Sequence, residues 1–283
     1  MKRLTLLLAT AIICLSATAQ EKKDTIRIGG MIIVKDGKHK ENKEKKYKEN
    51  KDYRPAKRRN ISTNWGVLDL GFSNYEDKTN YASTGAYLID RPGYPKLDKN
   101  DFKLRTGKSI NVNIWIFMQK LNLIKHHVNL KYGIGFELNN YRYKSFISYR
   151  EGGAIPYTTN QTNAPFIFKD SISFSKNKLA ADYLTVPIML NFSSHQRSDK
   201  KGISFSAGVS AGYLYSQRNK QVSDERGKKK NRGEYDMEKF KFSYIAELGL
   251  GPIRLYGSYS PQSMYERGLD IRPYTVGLRF SNW

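Results

Sequence analysis

VNLKYGIGFEL, Val128 to Leu138, alternates apolar and polar residues along its whole length. Val128, Leu130, Tyr132, Ile134, Phe136 and Leu138 share one parity, and Asn129, Lys131, Gly133, Gly135 and Glu137 share the other. Successive side chains of a strand point to opposite faces, so the segment predicts a strand with one apolar and one polar face. Its length is also what a tilted strand needs to cross a bilayer, about 9–11 residues.

The alternation recurs along the chain. WGVLDLGFSN (65–74) aligns Leu68, Leu70 and Phe72, and SINVNIWIFM (109–118) aligns Ile110, Val112, Ile114 and Ile116 against Asn111 and Asn113. The opening stretch is the third strand and extends to about Tyr143. YLTVPIMLNF (183–192), GISFSAGVSAGYLYS (202–216), KFKFSYIAELG (239–249), IRLYGSYS (253–260) and PYTVGLRF (273–280) complete a set of eight. Eight is even, and it is the smallest size of bacterial outer-membrane barrels. Connections 75–107, 147–179 and 220–238 are long and polar, whereas 119–126, 194–201 and Gly251-Pro252 are shorter. Strands that alternate in direction gather the long loops at one end and the short turns at the other, which is the layout of an outer-membrane barrel with its loops outside. The predicted fold is all-β: an eight-stranded antiparallel up-and-down transmembrane β-barrel over residues 65–283, in the outer membrane with both termini periplasmic.

The N-terminus supplies the route to that compartment. Lys2 and Arg3 precede the apolar run Leu4–Leu15, and Ala17-Thr18-Ala19 forms a cleavage site, so residues 1–19 predict a secretory signal peptide. A lipoprotein signal that keeps Cys14 is the alternative, but it wants a small residue before the cysteine, and Ile13 is not small. Cys14 is the single cysteine, so cleavage leaves no disulfide, catalytic thiol or thiolate metal site. Residues 20–64 form a basic segment. Asp24–Gly37 predicts a short strand pair around Gly29-Gly30, and residues 35–59 carry twelve Lys/Arg and five Asp/Glu with almost nothing apolar. Such a stretch predicts a largely disordered tether, here on the periplasmic side, where it would meet an anionic partner or envelope protein.

Past the predicted signal peptide, no run approaches the ~18 apolar residues of a transmembrane helix. Mean hydropathy is -0.65, a value a barrel shares with soluble proteins because half of each strand is polar. Twenty Tyr and thirteen Phe supply the amphipathic rings used by interfacial girdles. The formal charge of +23 favours anionic neighbours, among them lipopolysaccharide and other outer-membrane lipid. Tyr47 and Tyr53 among the tether lysines are too sparse for a base-stacking platform, so no nucleic acid is expected.

If the apolar parity meets lipid, the other parity lines the lumen. It carries Lys131, Glu137, Lys241, Glu247, Arg254 and Arg279 among Gly, Ser and Asn. A barrel of this size is filled by its own side chains, so these charges predict a paired network that plugs the interior. Pro187 lacks a donor for the ladder and predicts a bulge or a strand rim. In the last long loop Lys228, Lys229, Lys230 and Arg232 form a basic run suited to lipopolysaccharide phosphates.

No nucleophile elbow, phosphate loop, zinc motif or calcium loop occurs. His39 lies in the tether, and His126, His127 and His195 fall at predicted short turns, away from the long loops. Adjacent His126 and His127 would point to opposite faces of a strand, which suits turn hydrogen bonding better than a metal. No catalytic residue, cofactor site or metal site is expected.

At Tyr183–Phe192 the chain resembles the PorT-like outer-membrane β-barrel family, whose members carry a Tyr-Leu-x-hydrophobic-Pro-hydrophobic-Leu-Leu-x-aromatic strand. GISFSAGVSAGYLY after it and the terminal GLRF (277–280) are similar to that family's following and closing strands. The resemblance covers residues 65–283 and implies an eight-stranded outer-membrane barrel without cofactor or catalytic residues. Some members assist protein secretion. Trp283 departs from the pattern, being out of phase with Phe280, and so does the tether. A non-enzymatic structural or accessory envelope role is the expectation. A barrel enzyme acting on lipid or peptide, and a soluble secreted polyanion-binding β-protein, are the alternatives.

Overall fold

A computed structural model describes residues 25–28, 31–34, 59–194 and 202–281. The predicted signal peptide, nearly all of the tether, His39, His195 and Trp283 lie outside the described residues. The chain divides into two compact units, Met1–Ala56 and Lys57–Trp283. In the first, Thr25–Ile28 and Met31–Val34 pair antiparallel with Ile28 opposite Met31, the strand pair predicted around Gly29-Gly30.

The second unit is the barrel. Its staves are β1 (Ile61–Asp77), β2 (Ile110–Ile124), β3 (Val128–Arg142), β4 (Lys176–Ser193), β5 (Ile203–Ser223), β6 (Phe240–Leu250), β7 (Ile253–Tyr259) and β8 (Ile271–Phe280). Each pairs antiparallel with its sequence neighbours, and β8 returns to β1 with Leu278 opposite Leu70, which closes the ring. A closed ring leaves no stave with an unpaired edge, the condition for β-structure in hydrocarbon. A ninth strand, Gly227–Arg232, folds back onto the upper part of β5.

The barrel is inside out relative to a soluble domain. Leu70 and Phe72 on β1, Ile188 and Phe192 on β4, Val209 and Tyr213 on β5, Phe242 and Tyr244 on β6, and Val276 and Phe280 on β8 all face outward and are exposed. Asp69, Asn111, Lys131, Glu137, Asn139, Asn191, Ser206 and Glu247 on the other parity are buried. The alternation in Val128–Leu138 therefore marks a lipid-facing stripe.

Irregularities at several points adjust the parity. On β2 the register with β3 shifts between Trp115 and Phe117, which turns both Trp115 and Met118 inward. On β5 Asp182 of β4 lies opposite Ser216 while Tyr183 lies opposite Leu214, leaving Tyr215 as the extra residue of a bulge. Pro187 makes no bulge. It keeps its place opposite Ser210 of β5, and only the bridges from Val186 and Pro187 to β3 are missing, with the same register resuming at Ile188–Tyr132. The strand tolerates proline there by omitting ladder bonds on one side.

The turn between β2 and β3 is tighter than the sequence suggests. β2 runs to Ile124, and Lys125 and His126 both take positive φ (44° and 61°) with the His127 amide donating to the Ile124 carbonyl at 2.9 Å. These are the dihedral signs of a two-residue hairpin turn.

The long connections are not simply polar loops. Leu88–Ile89, Ile147–Arg150 and Phe166–Lys169 form a small sheet over the barrel end. Beneath it Tyr87, Leu88, Phe102, Tyr143, Ile147, Tyr149, Ile167, Met237, Tyr265 and Ile271 belong to one buried cluster. The β7–β8 connection contributes Met264, Tyr265 and Leu269. The loops thus fold into a cap with its own apolar core.

Candidate functional site: a packed lumen and a cationic outer face

Seven charged side chains on five staves point into the lumen, and they pair with one another. Arg279 of β8 donates from Nε to Asp69 Oδ1 (2.7 Å) and from Nη2 to Asp69 Oδ2 (2.8 Å). Its Nη1 donates to Glu247 Oε2 at 2.7 Å. Glu247 Oε1 accepts from Lys131 Nζ at 2.8 Å and Arg254 Nη1 at 2.9 Å. Nearer the cap, Glu137 accepts from Lys241 and from Asn139 Nδ2, the latter at 3.0 Å. The six residues selected by parity thus fall into two groups: Lys131, Glu247, Arg254 and Arg279 in one cluster, and Glu137 with Lys241 in a separate pair.

Asp69, missed by the sequence analysis, is the counter-ion that completes the cluster. It also accepts from Trp115 Nε1 at 2.7 Å and Asn113 Nδ2 at 3.1 Å. It lies between Leu68 and Leu70, so the parity that selected the other charges marks it equally. Four cations therefore meet three carboxylates inside the barrel.

Amides and rings fill the middle of the lumen, while at the short-turn rim a cavity of about 360 Å³ reaches Asn64, Arg254 and Arg279. Asn111 Nδ2 donates to Asn139 Oδ1 (2.9 Å), and Asn129, Asn191 and Ser206 form a second chain of hydrogen bonds towards the short turns. Val67, Trp115, Met118 and Met189 make a small apolar cluster within the polar lumen. Gly135 makes room for it, since a Cβ there would stand 2.8 Å from the Trp115 ring. The void bordered by Glu137, Thr185, Met189 and Arg279 measures about 30 Å³, the scale of a water molecule.

Above the lumen, the hydroxyls of Tyr143, Tyr149 and Tyr265 form a chain with contacts of 2.6 and 2.9 Å. Burial, with the neighbouring tyrosines, pushes the Tyr149 hydroxyl well above its ordinary pKa, so it serves as a neutral hydrogen-bonding group.

The basic run divides between two faces. Lys230 stands opposite Lys220 of β5 and Lys228 opposite Val222, on the outward parity, and Arg232 stands opposite Arg218. Lys229 stands opposite inward-facing Gln221 and so belongs to the other face. The outward row continues from Lys220 to Lys178 on β4 and Arg142 on β3. These positions lie beyond the apolar band. There Lys176 and Lys228, then burial and Arg218, hold the Lys220 ammonium below its ordinary pKa.

His127 Nδ1 lies 2.8 Å from the Ser193 carbonyl, and Asn122 Oδ1 accepts from the His126 amide at 2.6 Å. Among the described residues no group of three His, Cys, Asp or Glu side chains is placed to hold a metal ion.

A family model described as outer membrane protein beta-barrel domain matches residues 54–269. No curated protein matches the chain. Among solved structures, Ail, the attachment invasion locus protein of Yersinia pestis, is similar at 12% identity, covering 77% of this chain and 98% of that one, with a TM-score of 0.31. Ail in complex with the heparin analogue sucrose octasulfate gives the same coverage and identity with a TM-score of 0.30.

Proposed function

From the premise that this chain belongs to the outer membrane protein beta-barrel domain family, we propose that it is a non-enzymatic structural or accessory component of the envelope, with a closed lumen and its working surfaces at the two ends. The packed interior carries this reading. Arg279, Glu247 and Arg254 tie the neighbouring β8, β6 and β7 together, Lys131 of β3 joins them from across the lumen, and the cap core lies over one end. A conducting pore needs a continuous wet path, and buried ion pairs with a water-sized void between them do not make one. Reconstituted into a planar bilayer, the full chain should give no discrete conductance steps. Steady ohmic steps would overturn the closed-lumen reading.

A non-enzymatic role is supported by the position of His126 and His127 at a short turn, with His127 engaged by the Ser193 carbonyl. Fatty-acid release from phospholipid vesicles, or cleavage of a peptide by the purified chain, would refute it.

β1 starts and β8 ends at the same end as the Lys125-His126 and Gly251-Pro252 turns. That arrangement supports periplasmic termini and a basic tether, residues 35–59, facing a periplasmic anionic partner. An assembly or secretion role like that of PorT-like barrels would act through this segment. Pull-downs with and without residues 35–59 test it, and an unchanged set of partners would remove the tether from the mechanism.

A further inference from the structure

The barrel does not end where its apolar band ends. β4 and β5 continue past the outward-facing aromatics, and Gly227–Arg232 widens the sheet by one strand. On this extension the register sets Arg142 opposite Lys178, Lys178 opposite Lys220, and Lys220 opposite Lys230. Directly opposed residues share a face, so four cations stand in one row across four strands. Lys176 and Lys228 flank the row on the side of the loop tips, each opposite Val222. Arg218 and Arg232 flank it on the membrane side.

Like charges directly opposite one another destabilise a sheet. The partners these cations do have are mostly neutral: Lys178 Nζ donates to Asn140 Oδ1, and Arg142 Nη2 donates to the Ser175 carbonyl at 2.9 Å. Of the flanking residues Arg218 is paired, with Asp182. A fold that concentrates cations in register at a cost in stability is arranged to meet an anion.

The position of the row selects the kind of anion. It lies on the parity that faces lipid lower down, not on the inner parity of the cap. Five residues below Lys220 stands Tyr215, in edge contact with Phe136, and Tyr213 packs on Phe240. Exposed aromatics in this arrangement are the girdle of a barrel, and the layer just beyond a girdle is the headgroup layer. Three strand spacings of ~4.8 Å make the row ~14 Å wide, which suits two phosphates at the ends of a disaccharide.

We propose that the outward face formed by Arg142, Lys178, Lys220 and Lys230 binds the phosphates of a bis-phosphorylated glycolipid headgroup in the outer leaflet. The proposal rests on the reading that the long-loop end faces outward. Lysine and arginine donate charge-assisted hydrogen bonds to the phosphate oxygens, and the acyl chains lie against the apolar band below. The site requires the paired strands and not only the basic loop run, and it excludes Lys229.

The test uses the full chain in neutral detergent, titrated with bis-phosphorylated lipid A, its dephosphorylated form, inorganic pyrophosphate and a soluble sulfated polysaccharide. Tight, salt-sensitive binding is expected for the bis-phosphorylated lipid alone. Lys178→Gln/Lys220→Gln/Lys230→Gln should weaken it at least tenfold, and Lys229→Gln should leave it unchanged. Equal binding of the dephosphorylated lipid overturns the phosphate site. Equal binding of the soluble polyanion replaces the lipid with a soluble ligand and overturns the headgroup assignment. Equal loss from Lys229→Gln reduces the effect to bulk charge, and no loss from the triple variant removes the row altogether. Because removing a like charge relieves repulsion, the triple variant should fold and show a heat-dependent gel shift at or above the wild-type temperature. Orientation is checked separately by labelling Lys229→Cys in whole cells, so a wrong orientation and an absent site give different results.

Discussion

Replacing Arg279 with methionine keeps much of its length but removes three charge-assisted hydrogen bonds, two to Asp69 and one to Glu247. The two carboxylates are not affected alike. Glu247 retains Lys131 and Arg254, whereas Asp69 is left with two neutral donors, Trp115 Nε1 and Asn113 Nδ2. Asp69 is 0% exposed, so its charge has no water to turn to. Removing one partner of a buried pair costs about 3–5 kcal/mol, chiefly through the charge left behind. With a urea dependence of about 3 kcal/mol per molar, that lowers the unfolding midpoint by roughly 1–2 M. The assay is urea unfolding in lipid vesicles, followed by tryptophan emission and by the gel shift of unheated samples. Adding Asp69→Asn should restore at least half of the loss, since an amide oxygen still accepts from Trp115 without leaving a buried charge. If Arg279→Met costs under about 1 kcal/mol, or if Asp69→Asn adds its own full penalty on top, buried charge pairing is not what holds the lumen.

The other predictions concern glycine, turn and cap. Gly135→Ala places a Cβ against Trp115 and should cost about 1–3 kcal/mol by overpacking, read from the same urea midpoint. Lys125→Asn with His126→Gly suits the positive φ of both turn residues and should gain about 1 kcal/mol; no gain would mean that the turn is not in this conformation. Tyr149→Phe breaks the hydroxyl chain to Tyr143 and Tyr265 and should cost the cap about 1–3 kcal/mol, seen as faster proteolysis of the loops with an unchanged barrel gel shift. Burial raises the pKa of Tyr143, Tyr149 and Tyr265 in the folded state, so their contribution is fully present below the unfolded value of ~10 and is lost as pH rises above it. Loop proteolysis should therefore stay flat between pH 7 and 9 and accelerate above ~10, and acceleration already at neutral pH would contradict the assignment.

The staves were legible because lipid enforces period two over ten or so residues and the short turns punctuate it. Their upper ends were not. Residues 176–182 and 217–223 are strand in the structure, yet beyond the apolar band Lys176, Lys178, Arg218 and Lys220 dominate their outward positions, so hydrophobic alternation fades while the hydrogen-bond ladder continues. The cap escaped for a different reason. Its apolar pieces are short, such as Leu88-Ile89 and Phe166–Phe168, and they meet only across long sequence separations, as Ile167 meets Leu88. No local period encodes such a core. Asp69 stands apart, since its inward parity was visible in the sequence; without the register, nothing showed that Arg279 would need it.

The cation row depends on a single backbone irregularity. Along β5 the odd positions Ile203 to Tyr215 face outward, and that parity carried straight on would send Asn219 and Gln221 out and Lys220 in. The bulge at Tyr215 reverses it. Beyond it Asn219 and Gln221 are buried, where Asn219 Nδ2 donates to Asn177 Oδ1 and Gln221 Nε2 to Ser148 Oγ, while Lys220 joins Lys178 outside. One extra residue thus serves two faces of the sheet: it supplies amides to the cap interior and turns a lysine to the outer face. A side-chain pattern cannot reveal this on its own, because the residue that decides the face of Lys220 lies five positions away and exposes the same apolar ring whether or not the strand bulges there.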